Sequence, residues 1–154
     1  MKIMLDKGAY MPTRAHETDA GLDLYTPKKV VVWETRGSGS GYDGSISCRT
    51  STGSVTIDTG VHVEIPKGYV GFIKSKSGLA VKHGLTAAGG VIDSGYTGSI
   101  VVKLFNHTSK PYEFNAGEKI AQLVLLPIIT PDLELVDSLE DTDRGSNGFG
   151  SSGK

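Results

Sequence analysis

Apolar and polar residues alternate with a period of two along most of the chain. Val61, Val63 and Ile65 alternate with His62 and Glu64, and Ile100, Val102 and Leu104 share a face opposite Lys103. Ile3 with Leu5, and Leu133 with Leu135, repeat the pattern in short form. Residues 120–126 are apolar apart from Gln122, as expected of a strand covered on both faces, and Val30-Val31-Val32-Trp33 reads the same way. Pro66-Lys67-Gly68, Asn115-Ala116-Gly117 and Tyr42-Asp43-Gly44 supply turns between the runs. One helix is predicted, from Ser77 to His83, with Ser77 as its N-cap and Gly84 ending it. Many short strands with so little helix predict an all-β barrel or jelly roll. Residues 36–54, rich in Gly, Ser and Thr, read as a long loop or mobile hairpin.

A length of 154 residues implies a single domain. Glycine, at 21 residues, is about twice its usual share, so turns and close backbone approaches must be common. Sixteen basic and seventeen acidic residues leave a net charge of −1, which excludes a general nucleic-acid or anionic-membrane binder but leaves room for a local anion pocket. Cys48 stands alone, so neither an internal disulfide nor a cysteine-based zinc site can form. His16, His62, His83 and His107 have no paired metal-site spacing. Met1-Lys2-Ile3-Met4-Leu5-Asp6 turns polar too soon for a secretory signal, and the longest apolar run, 123–129, contains Pro127 and is too short to span a bilayer. A cytoplasmic protein is expected.

Five segments could carry chemistry. Gly148 to Lys154 fits the glycine and lysine spacing of a P-loop, but no hydroxyl residue or helix follows, so a Walker-type ATPase is excluded. The tail 144–154 still suits phosphate: glycines expose N–H groups, serines donate, and Arg144 can make a forked contact. Phe149 is an unusual residue for a merely solvated terminus. Lys74-Ser75-Lys76-Ser77-Gly78 joins a strand to the helix with two lysines beside it, an arrangement suited to an anion. Gly89-Gly90-Val91-Ile92-Asp93-Ser94-Gly95-Tyr96 suggests a hairpin with exposed backbone edges, beside an aspartate able to deprotonate water. Asp23 sits between Leu22 and Leu24, and Gln122 is the polar break in an apolar strand; a buried amide there needs partners.

Taken in order, the five segments resemble the five signature motifs of the trimeric deoxyuridine triphosphatases (dUTPases), with Thr59-Gly60-Val61 and Pro66-x-Gly-Tyr69 also in place. The likeness runs from about Thr18 to Gly153. It implies a distorted jelly-roll β-barrel with one short helix, assembling as a homotrimer with sites between subunits. The barrel would span 1–143, carry the 36–54 segment as a surface insert, and end in a lid, 144–154, over a neighbour's site. The implied reaction is hydrolysis of dUTP to dUMP and pyrophosphate with Mg²⁺. Asp93 would be the general base, Tyr96 would pack on the deoxyribose, and the backbone of Gly90, Val91, Ile92 and Asp93 would read the uracil. Lys76, Ser77, Gly78 and Gln122 would hold the phosphates, and Asp23 would reach the metal through water. Phe149 would stack on uracil, while Arg144, Gly150, Ser151 and Ser152 would close on the phosphate chain. An extended tail of this length reaches about 36 Å, enough to cross to a neighbour. Lys76 departs from the family's usual arginine, exchanging a forked contact for a point charge. A deaminase on the same fold is disfavoured, because no glutamate lies between His83 and Tyr112. A second expectation is a nucleotide-gated interaction protein, its partner bound through the insert.

Overall fold

The computed structural model describes residues 1–37, 50–51 and 53–146; the expected turn at Tyr42-Asp43-Gly44 and the tail residues Phe149, Gly150, Ser151 and Ser152 lie outside them. In chain order the described elements are β1 (Lys2–Leu5), β2 (Gly21–Tyr25), β3 (Val30–Val32), β4 (Arg36–Gly37), β5 (Thr50–Ser51), β6 (Gly53–Asp58), β7 (Val61–Glu64) and β8 (Tyr69–Lys74). Then come α1 (Ser77–His83), β9 (Leu85–Ala88), β10 (Val91–Ile92), β11 (Val101–Asn106), β12 (Tyr112–Phe114) and β13 (Lys119–Pro127). The protein is therefore nearly all β, with one short helix.

Two antiparallel sheets dominate, in the orders β10-β8-β13-β2 and β6-β11-β9, and the pairs β1-β7, β12-β3 and β4-β5 flank them. They wrap one core. Leu24, Ile57, Val61, Ile100, Val102, Leu104, Phe114, Ile120 and Leu123 are each no more than 1% exposed, and they come from both large sheets and the flanking strands. Each such side chain contributes about 1.5–3 kcal/mol by leaving water. The alternations at 61–65 and 100–104 are borne out, with the odd-numbered set of the first and the even-numbered set of the second buried. β13 is an inner strand, hydrogen-bonded on one edge to β8 and on the other to β2. Its Ile120, Ala121 and Leu123 are buried, whereas Val124 and Leu125 are half-buried and Leu126 is exposed, so the expected cover on both faces is incomplete in the single chain.

Several expectations need correction. The N-cap of α1 is Lys76, not Ser77: Lys76 is extended, makes no side-chain cap bond, and Ser77 is already helical. Gly84 does end the helix, at φ 61°, with its N–H on Ala80 O at 3.1 Å. Trp33 does not extend a buried strand; β3 stops at Val32 and the indole is 62% exposed. Leu133 and Leu135 form no strand and are fully open to solvent, and among the described residues no strand pairs with them. Gly53 and Ser54, expected to be part of a long loop or hairpin over 36–54, belong to β6, and Arg36–Gly37 pairs with Thr50–Ser51 as β4 and β5. Finally, Gly89 and Gly90 do not turn a hairpin: β9 pairs with β11 and β10 with β8, so the two glycines carry the chain from one sheet to the other. Gly90 does so at φ 70°, a conformation that favours glycine.

Candidate active site

The central sheet gathers four of the expected residues. The register of β8, β13 and β2 sets Lys74, Gln122 and Asp23 in a row across three strands. Asp23 is buried, with its side chain only 3% exposed, and cannot stand there unpaired. Lys76 Nζ binds one carboxylate oxygen, Oδ1, and Lys119 Nζ binds the other, Oδ2, at 2.7 Å. The Asp23 N–H donates to Thr13 O at 2.7 Å. Burial pushes the Asp23 carboxyl upward, but the hydrogen bonds and charges of Lys119 and Lys76 outweigh it and hold the group below the usual carboxylate range. Asp23 in turn raises Lys119 above the ordinary lysine value.

Gln122 serves the same junction. Its Nε2 donates to Ser75 O at 3.0 Å, where β8 hands over to α1. Space for the amide exists only because residue 21 is glycine; a Cβ there would lie 2.2 Å from Gln122 Oε1. Ser75 is held from the other side, its Oγ accepting the Ala87 N–H at 2.9 Å. Thus the start of α1, with Ser77 and Gly78 in its first turn, is anchored to both sheets. Its leading N–H groups precede the first intrahelical bond, Ala80 N to Lys76 O at 2.9 Å.

The second group is a turn. Asp93 is exposed and follows β10, and the Tyr96 N–H closes the turn on Asp93 O at 3.0 Å. Val91 is exposed and Ile92 is buried. The Tyr96 ring folds back over Gly98, where a Cβ would meet the phenol oxygen at 2.4 Å, and its hydroxyl donates to Ser99 O at 2.9 Å. The aspartate and the tyrosine are thereby presented on one exposed loop.

One chain does not bring the two groups together. Ile92 pairs with Gly71 near the start of β8, whereas Lys76 lies beyond its far end. The five residue steps from Gly71 to Lys76 cover about 16 Å at ~3.3 Å each, longer than a triphosphate chain. Arg144 lies in a solvent-exposed turn in which Gly145 N–H donates to Thr142 O at 2.9 Å. Lys119 is the site residue that sequence reasoning missed. The signal was indirect: an aspartate between two buried leucines demands a cation, but nothing in the sequence says which of the sixteen.

The dUTPase family model matches residues 40–153, about three quarters of the chain. The chain belongs to the dUTPase family. Similar proteins include the deoxyuridine 5'-triphosphate nucleotidohydrolase of Kluyveromyces lactis, 38% identical with 100% of this chain and 94% of that one covered. The enzyme of the same description from Paramecium bursaria Chlorella virus 1 is also 38% identical, covering 97% of this chain and 94% of that one. Among solved structures, a variant of the Staphylococcus bacteriophage 80alpha dUTPase with dUpNHpp superposes with a TM-score of 0.81 at 32% identity, covering 99% of this chain and 98% of that one. A dUTPase variant from phage phi11 of S. aureus, described with a structural Mg(II) ion, gives a TM-score of 0.71 at 29% identity, over 91% and 98% of the two chains. The dUTPase fold is thus shared with the phage enzymes, and no helix among the described residues is long and apolar enough to cross a membrane.

Proposed function

We propose that the chain hydrolyses dUTP to dUMP and pyrophosphate, with a site divided between copies of itself. Family membership supports the reaction. The observation that carries the division is the separation along β8: the turn bearing Asp93 and the charged cluster bearing Lys76 lie at opposite ends of one strand. One triphosphate can touch both only if the turn comes from one copy and the cluster from another. A homotrimer meets this need. Ile129, Leu133, Leu135 and Leu139, all at least 86% exposed in the single chain, offer apolar surface for such contacts.

In this reading Asp93 takes a proton from the water that attacks the α-phosphorus, and the pyrophosphate leaves in line. Tyr96 covers the deoxyribose, and the backbone of 90–93 meets the uracil edge. Lys76, Ser77 and Gly78 hold phosphate oxygens, and Gln122 acts by fixing the Ser75 junction from which that helix starts. The tail 144–154 closes over a neighbour's site, with Phe149 on the base and Arg144, Gly150, Ser151 and Ser152 on the phosphates. Closure of a glycine-rich segment on substrate excludes water from the reacting phosphate.

Among the described residues no three His, Cys, Asp or Glu side chains converge into a complete cage for Mg²⁺. Asp23 fits a lesser role: a single carboxylate whose oxygens are already taken by lysines suits contact through water, with the nucleotide supplying the inner oxygen ligands. When bound, the metal supplies charge neutralisation on the phosphate chain. Asp23 also keeps Lys76 and Lys119 gathered beside the helix start until the anion arrives.

The test is complementation. A chain ending before Arg144 keeps its base and lacks a tail; Asp93→Asn keeps its tail and lacks a base. Each alone is expected to be nearly inactive. Refolded together as mixed trimers they are expected to regain a substantial part of wild-type turnover, and no gain over either variant would overturn the shared site.

A further inference from the structure

His62 takes no part in the reading above, yet it touches the turn on which that reading depends. It lies on β7, with its side chain 18% exposed, and Nδ1 is 2.8 Å from Thr97 O. A carbonyl only accepts, so Nδ1 must carry the proton. That choice leaves Nε2 bare in the neutral ring. Nε2 is buried, makes no hydrogen bond, and has Asp6 Oδ2 3.4 Å away. A lone pair facing a carboxylate in a buried place is unfavourable, and a second proton on the ring converts it into an ion pair.

We infer that His62 is a positioning residue for the turn carrying Asp93 and Tyr96: its charged ring clamps the Thr97 carbonyl from Nδ1 and the Asp6 carboxylate from Nε2. The clamp grips the loop between Tyr96 and Ser99. Ser99 is itself held, its Oγ donating to Asp58 Oδ1, and its carbonyl takes the Tyr96 hydroxyl. His62 on β7 and Asp58 at the end of β6, strands of different sheets, therefore fix both ends of the short stretch that sets the tyrosine ring. The charges around His62 favour the same state. The Thr97 bond raises its proton affinity, burial lowers it, and Asp6 and Asp58 raise it again, for a net upward displacement. Lys2 and Glu64, which line the same groove, are paired with each other at 2.9 Å. The charged clamp is thus complete below the ordinary histidine value and is lost as pH rises through the higher value of the folded protein.

This inference rests on the proposed roles of Asp93 and Tyr96, and its test separates the two. In the trimeric wild-type protein, imidazole ¹⁵N NMR is expected to show a proton on Nδ1 throughout and titration at Nε2, above the ordinary histidine value. That readout needs no activity. In kinetics, His62→Leu removes both donors, and His62→Asn keeps a donor where Nδ1 stood. His62→Leu is expected to reduce the preference for dUTP over UTP by about fivefold, the scale of one lost hydrogen bond, while remaining folded by circular dichroism. His62→Asn is expected to restore that preference. The ratio of wild-type to His62→Asn kcat/KM is expected to fall as pH rises from roughly 6 to 8.5. Wild-type preference in His62→Leu, an asparagine variant as poor as the leucine one, or a flat ratio would each overturn the clamp. A wild-type protein that leaves dUTP intact would instead overturn the function proposed above.

Discussion

The cluster of Asp23, Gln122 and Lys76 and the turn from Asp93 to Gly98 solve opposite problems. The first is built around a buried carboxylate that must be answered: both Asp23 oxygens bind lysine, and the Gln122 amide donates to Ser75 O. The second is exposed, and its shape comes from a few local bonds, the Tyr96 closure on Asp93, the tyrosine hydroxyl on Ser99, and the His62 contact with Thr97. A buried charge cluster is fixed by the fold before substrate arrives. An exposed turn is fixed only by the side chains that reach it. Damage to the two should therefore look different: chemistry lost without stability at the turn, and both lost together in the cluster.

The largest contrast is expected from Asp93→Asn. Loss of a general base lowers kcat by about a thousandfold, while the midpoint of urea unfolding stays within error of wild type and dUpNHpp, measured by calorimetry, still binds. Retained turnover would remove Asp93 from its assigned role. Next is Asp23→Asn, which leaves two cations without their buried partner. A loss of about 3 kcal/mol in unfolding free energy is expected, at the low end for a broken buried pair because both lysine ends reach water. The same variant sharpens the pH argument. Because Asp23 is held below its ordinary value, its contribution is present above about pH 4 and disappears as pH falls through the lower value of the folded protein. Acid unfolding of wild type should therefore be steeper than that of Asp23→Asn; equal slopes would mean that the pair contributes nothing.

The smallest effect should come from Lys76→Arg. A guanidinium can hold Asp23 and a phosphate oxygen at once, so KM for dUTP is expected to fall about twofold to fivefold with kcat nearly unchanged. An increase in KM would show that this pocket is shaped for an ammonium.

How far the sequence reveals these regions follows from the same contrast. Val61, Val63 and Ile65, or Ile100, Val102 and Leu104, announce their strands because one face is buried and the other is wet. The run ending in Trp33 misleads, since β-branched and aromatic residues look alike whether a strand continues or stops at Val32. Leu133 and Leu135 have the alternation of a strand but no partner strand among the described residues, and pattern alone cannot supply one. At the site, Asp23, Gln122 and Asp93 stand out as polar residues in apolar or glycine-rich settings. Lys119 and His62 do not, because their roles arise from register: Lys119 lies across from Tyr25, two residues along β2 from Asp23, and β7 passes beside a loop some thirty-five residues later. The helix starts one residue earlier than its serine suggests: Lys76 stands at the N-cap without a side-chain cap bond, its ammonium turned to Asp23 instead.

The central claim is the reading of nucleotide identity at a site that performs hydrolysis. It is tested most directly by pyrophosphate release with Mg²⁺ from dUTP, beside dTTP, dCTP and UTP at equal concentration. Rapid release from dUTP, with the other three near background, is the expected result. Release from none of the four, or from UTP as fast as from dUTP, would contradict it.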